Sequence, residues 1–134
     1  MRLIVNMDVP DLAPAIDFYC AALGLKLGRM LGDDVAELTG GSAAIYLLRK
    51  PEGSAAVEAP KALRDYARHW TPVHVDFVVD DVEEAARCAE AAGARRESAC
   101  IEWRGSKCIT LSDPFGHGFC VIEFAAATYR DDDA

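Results

Sequence analysis

Between Leu3 and Val9 the side chains alternate, with Leu3, Val5, Met7 and Val9 on one face and Ile4, Asn6 and Asp8 on the other. A period of two with one apolar face predicts a strand covered on one side. From Leu12 the period changes: Leu12, Ala15, Ile16, Tyr19, Ala22 and Leu23 recur at helical spacing, and Gly24 stops the run. Asp11 stands at the N-cap, where its carboxylate is expected to accept first-turn N–H groups, and Pro14 is tolerated in that turn. Three short β-like stretches follow near 25–31, 34–39 and 43–49, broken by Gly32-Asp33 and Gly40-Gly41.

The same grammar then returns. A shift of 70 residues lays Ile4–Leu12 on His74–Val82, with Val, Val and Asp identical at three positions. Val75, Phe77 and Val79 form the apolar face of the second opening strand, and Asp81 with Glu84 makes a capping-box-like start. Val82, Ala85, Ala86, Ala89 and Ala92 form a thin stripe ended by Gly93. Strands follow near 95–103, 107–112 and 118–124, broken by Gly105-Ser106 and Asp113-Pro114-Phe115-Gly116. Each half is expected to be strand, helix and three-stranded meander, which makes an α+β fold of two βαβββ modules.

Module one spans 1–50, a joining segment 51–72 and module two 73–125, within one domain at 1–127. Pro51, Gly53, Pro60 and Pro72 bracket a short helix expected over Lys61–His69, and the acidic tail 128–134 is expected to fray into solvent.

Composition narrows the classes. A chain of 134 residues, 51% apolar, suffices for one core, and no apolar stretch reaches the ~20 residues of a membrane-spanning helix. The first residues, Met1 to Asn6, lack the apolar core of a secretory leader. A net charge of −8 without a basic run disfavours nucleic acid and membrane surfaces as partners. Five cysteines without a Cys-x-x-Cys spacing read as reduced thiols in a cytoplasmic protein, and as small hydrophobes rather than a metal framework.

Val9-Pro10-Asp11-Leu12, Asp17-Phe18-Tyr19 and Leu23-Gly24-Leu25, in that order, resemble the opening signature of the vicinal oxygen chelate superfamily of glyoxalases, bleomycin-resistance proteins and dioxygenases. Asp113-Pro114-Phe115-Gly116-His117, then Val121-Ile122-Glu123-Phe124, resemble its closing signature. The resemblance implies a curved mixed sheet around a cup-shaped cavity, and a homodimer. In metal-dependent branches it implies one ligand on the first and one on the last strand of each module. Carried over, those positions are His74 and Glu123 in module two, but Ile4 and Tyr46 in module one, so the metal site is expected to be incomplete.

Two functions compete. One is a binding protein without cofactor, holding an amphipathic or aromatic molecule among Asn6, Tyr46, Asp76, Trp103, Arg104, Phe119 and Val121. The alternative is a divalent-metal-dependent (Zn, Ni, Fe or Mn) lyase, isomerase or dioxygenase-like enzyme, with His74 and Glu123 as metal ligands and catalytic groups. A scaffold without any small ligand is disfavoured by polar Asn6, Asp76 and Glu123 on an expected inner wall. The absent ligands at Ile4 and Tyr46 argue against a glyoxalase I-type reaction. On either view Glu123 is expected on the inner wall beside Phe119 and Val121, while His117 orients the closing turn and His69 faces solvent.

Overall fold

Strand β1 (Ile4–Val9), helix α1 (Leu12–Leu23) and strands β2 (Lys26–Leu31), β3 (Val35–Thr39) and β4 (Ala44–Arg49) form a sheet ordered β1-β4-β3-β2. The structure is a computed structural model and describes residues 1–125. The expected frayed tail at 128–134 lies outside the described residues. Within it the chain divides into two units, residues 1–67 and residues from Arg68 onward.

In the first unit β1 runs parallel to β4, and the other pairs are antiparallel, as their short Gly turns require. Val9, Ala36, Leu38, Ile45 and Leu47 are buried on the face that meets Leu12, Ala15, Phe18, Tyr19 and Ala22 of α1. Each large apolar side chain covered in this way contributes about 1.5–3 kcal/mol. Asp11 occupies the N-cap position, but its side chain makes no capping hydrogen bond, contrary to the expectation from sequence. Gly24 ends α1 with φ at 66°.

The joining segment differs from its expectation. Lys61–His69 is not helical; β5 (Ala55–Glu58) and β6 (Lys61–Leu63) form a hairpin there. Its neck is closed by backbone hydrogen bonds from Gly53 to Arg64 and from Arg64 to Ser54, at 2.8 and 2.9 Å. The Arg64 guanidinium then reaches Asp8 Oδ2 at 2.7 Å and the Ala55 carbonyl at 2.8 Å. These long-range bonds hold the segment extended and override a weak local helix preference.

The second unit repeats the plan with β7 (Val75–Val78), α2 (Val82–Ala92), β8 (Arg95–Arg96), β9 (Ile101–Trp103), β10 (Ser106–Ser112) and β11 (Gly118–Glu123). Its order is β7-β11-β10-β8, with β9 also on β10. The strand expected over 95–103 is thus two pieces. Between them Ser98 diverts the chain: its Oγ accepts the Thr110 N–H at 2.9 Å, and its carbonyl accepts Arg96 Nε at 3.0 Å. Asp81 caps α2 as expected, accepting the Glu84 N–H at 3.0 Å, while the Glu84 carboxylate turns to Arg87.

The closing turn is built around Asp113. Its buried carboxylate accepts the N–H groups of Phe115 and His117 at 2.8 and 2.9 Å and contacts His117 Nδ1 at 2.7 Å. His117 therefore orients the turn. His69, expected in solvent, is half-buried beside it, with its N–H donating to the Gly116 carbonyl at 2.9 Å.

Candidate functional site

Which residues share a wall is decided by strand parity and by the face that α2 covers. Phe119 and Val121 of β11 pair in register with Val75 and Phe77 of β7, and both are buried. Glu123 has their parity. Its Oε2 accepts the Val82 N–H at the start of α2 at 3.0 Å, and its Oε1 lies 3.5 Å from Lys107 Nζ. Phe119, Val121 and Glu123 thus belong to the helix-covered side and do not line an open wall, and Glu123 is not brought to His74. Val121-Ile122-Glu123-Phe124 is apolar on both sides of the carboxylate, so hydropathy gives the parity of β11 but not its covered face. Docking of α2 decides that.

The uncovered face carries His74, just before β7, with Asp76 and Val78 of β7 and Cys120 and Ile122 of β11. Cys108 and Thr110 follow on β10, and Ile101 and Trp103 on β9. His74 Nε2 lies 3.1 Å from Asp76 Oδ1, and Cys120 is the register partner of Asp76. The nitrogen, oxygen and sulfur of His74, Asp76 and Cys120 all fall within 4.8 Å of one another. Thr110 Oγ1 lies 3.5 Å from Cys120 Sγ, and burial, reinforced by Cys120, pushes the Cys108 thiol up to about 12. Cys120 is buried, as its reading as a small hydrophobe expects, and its parity with Asp76 across the β7–β11 pair is what brings its sulfur beside His74 and Asp76.

His74 is held from outside the sheet. The Trp70 ring lies tilted against the imidazole, centroids 4.6 Å apart, and Arg68 stacks on Trp70 at 5.5 Å. A Cβ at position 118 would come within 2.1 Å of that indole, so only glycine admits the ring. At the other end of this face Trp103 is 63% exposed, with the Arg104 guanidinium 4.8 Å from its ring centroid. Arg104 and Gly105 have φ of 51° and 80°, the left-handed pair a two-residue hairpin turn demands.

On the uncovered face of the first unit, Asn6 is exposed and registers with Tyr46. The Tyr46 hydroxyl donates to Glu37 Oε2 at 2.7 Å, and Arg29 Nε lies 3.4 Å from Glu37 Oε1. That hydrogen bond, aided by Arg29, holds the Glu37 carboxyl below the usual carboxylate range. Ile4 has no donor atom and Tyr46 is committed to Glu37. The ligand positions implied by family resemblance are therefore not met here, nor by His74 with Glu123. The imidazole, carboxylate and thiol of His74, Asp76 and Cys120 do suit a divalent ion in donor chemistry.

Two βαβββ units, each an open mixed sheet with one covering helix, define a glyoxalase-type fold. The chain belongs to the family of the glyoxalase-like domain, whose model matches residues 4–122. The structure is similar to lactoylglutathione lyase from Agrobacterium tumefaciens (22% identity, TM-score 0.64, 92% of each chain covered). It is also similar to the genomically encoded fosfomycin resistance protein FosX from Listeria monocytogenes (15% identity, TM-score 0.70, 95% of each chain). TioX from Micromonospora sp. ML1 aligns at 18% identity and TM-score 0.68, over 93% of this chain and 99% of its own. No curated protein sequence matches the chain. Among the described residues, no helix is long and apolar enough to cross a membrane.

Proposed function

We propose that this member of the glyoxalase-like family binds a small amphipathic or aromatic molecule on the uncovered face of its second unit. The observation that carries this reading is Trp103, an indole 63% exposed and braced by Arg104 on the same sheet face as the His74–Asp76 pair. Exposed Val78 and Ile101, at 61% and 57%, extend that face into an apolar surface with polar groups at one end. Such a surface accepts a flat ring against Trp103 and Ile101, with the Arg104 guanidinium beside it for a polar or anionic substituent, while His74 and Asp76 stand at the far end of the same face. Asn6 and Tyr46 hold the corresponding polar places on the first unit.

The test is a fluorescence titration with 8-anilinonaphthalene-1-sulfonate, a flat amphipathic probe. Saturable binding that weakens at least about tenfold in Trp103→Ala supports the reading, since one stacked ring contributes about 1–3 kcal/mol. Binding that is unsaturable or equal in both proteins contradicts it.

A metal-dependent lyase, isomerase or dioxygenase-like activity is the second reading, and the observation favouring it is the three-donor cluster rather than the pair His74 and Glu123. We further propose a homodimer. The edge strand β2 is exposed along its whole length and presents Leu27, Met30 and Leu31, a strand edge that pairing would cover. All five cysteines are free thiols, which supports a reducing, cytoplasmic setting.

A further inference from the structure

We infer that Cys108 and Cys120 form a two-thiol site for a trivalent organoarsenical, whose arsenic bridges the two sulfurs on the uncovered face of the second unit. Across the β10–β11 pair Cys108 registers with Ile122, and Thr110 with Cys120. The two cysteines are therefore diagonal neighbours on one face of adjacent antiparallel strands. Both are free thiols. Cys120 acts on Cys108 through charge and a side-chain hydrogen bond, so the two sulfurs are near neighbours. Thr110 Oγ1 lies 3.5 Å from the Cys120 sulfur and steadies it from the facing position on β10.

Spacing decides the ligand. Diagonal cross-strand neighbours stand about 7–8 Å apart. A disulfide needs Cα atoms roughly 4.4–6.8 Å apart, so a direct S–S bond would strain the sheet. One inserted atom supplies the missing reach, provided it is thiophilic and forms two bonds to sulfur. Trivalent arsenic does this: R–As(OH)2 loses two As–O bonds and gains two As–S bonds. Each thiol proton leaves with a hydroxide as water, and no oxidation state changes. The Cys108 thiol, pushed up to about 12 chiefly by burial, stays protonated at neutral pH. Because water rather than a proton is released, affinity stays level across neutral pH, whereas thiolate-to-metal bonding strengthens as pH rises. The register partner of Cys108 on β9 is Ile101, with Trp103 two residues further along the same face. The organic group on arsenic thus meets exposed apolar and aromatic surface, which favours an aryl substituent.

The experiment uses reduced, untagged protein with phenylarsine oxide as the probe. Native mass spectrometry reads the product in an excess of glutathione, a competing monothiol. One adduct per chain is expected, with a phenylarsenic group added and two hydrogens lost. It should survive glutathione, which strips a single-thiol adduct, and should leave with 2,3-dimercaptopropanol. Cys108→Ser and Cys120→Ser should each weaken binding roughly a hundredfold or more, the gain of a second, intramolecular bond. Cys20→Ser, Cys88→Ser and Cys100→Ser should keep the adduct. If Cys120→Ser does not fold, Cys108→Ser, at a half-buried position, carries the test. No adduct in excess glutathione, an adduct persisting in folded Cys108→Ser, or its loss in a cysteine variant outside the pair overturns the inference. So does an affinity that climbs about tenfold per pH unit, the mark of a released proton. Trp103→Ala should keep the adduct, so failure here leaves the proposed role of Trp103 standing, and failure of that role leaves the thiol pair.

Discussion

Glu123 Oε2 accepts the backbone N–H of Val82 at 3.0 Å, so the carboxylate at the end of the last strand caps the helix that follows the first strand of its unit. A negative charge at a helix N-terminus is favourable through both the hydrogen bond and the helix dipole. Glu123→Ala is therefore expected to lower stability by about 1 kcal/mol in urea denaturation. Probe binding at neutral pH should be unchanged. A stability equal to wild type would contradict the capping role.

Gly118→Ala tests how His74 is held. The added methyl would meet the Trp70 ring at 2.1 Å, and the indole must leave the strand. The expected results are a shifted tryptophan emission, a changed His74 ring resonance and a loss of roughly 1–3 kcal/mol of stability, the usual cost of an overpacked site. An unchanged His74 resonance would show that Trp70 does not position the imidazole.

Tyr46→Phe removes the hydrogen bond that chiefly depresses the Glu37 carboxyl. A carboxyl with a folded-state pKa below its unfolded value adds stability above the unfolded value, here near 4.5, and loses it as pH falls through the folded one. The variant should thus be less stable than wild type at neutral pH, with the gap closing as pH drops below about 4. Thermal melts across that range measure it. A gap independent of pH would exclude Glu37 as the partner.

Cys108 should resist alkylation in the native state. Its thiol is pushed up to about 12 by burial and by Cys120, so almost none is thiolate at pH 8, whereas Cys88 is exposed. Mass spectrometry after brief iodoacetamide treatment should find Cys88 modified well before Cys108. The raised value also implies that the stability contributed by the neutral thiol is constant below about 9 and declines as pH climbs toward 12.

The proposed dimer predicts a light-scattering mass at micromolar concentration of twice the 14.5 kDa chain. A lysine at Leu27 or Met30 on β2 should shift it to one chain mass if that edge is the contact.

The helices, their glycine stops and the order of strands were legible in the sequence, because periods of two and 3.6 and the 70-residue repeat express local geometry directly. The site was less so. His74 and Asp76 were found by alternation along one strand. That Cys120 and not Glu123 stands beside them was not legible, because the two lie three residues apart on β11, hence on opposite faces, and only the docking of α2 tells which face is covered. The β5–β6 hairpin was missed for a similar reason, since Arg64 is tied to Asp8, 56 residues away. Trp103 and Arg104 were found at a strand end, where a Gly turn marks the break.

The most direct test of the central claim is amide chemical-shift mapping of the second unit with 8-anilinonaphthalene-1-sulfonate. Perturbations are expected on residues 78, 101–104, 108 and 122, on the face away from α2, with little change along 82–92. Perturbations concentrated on α2 and Glu123, with residues 101–104 silent, would contradict it.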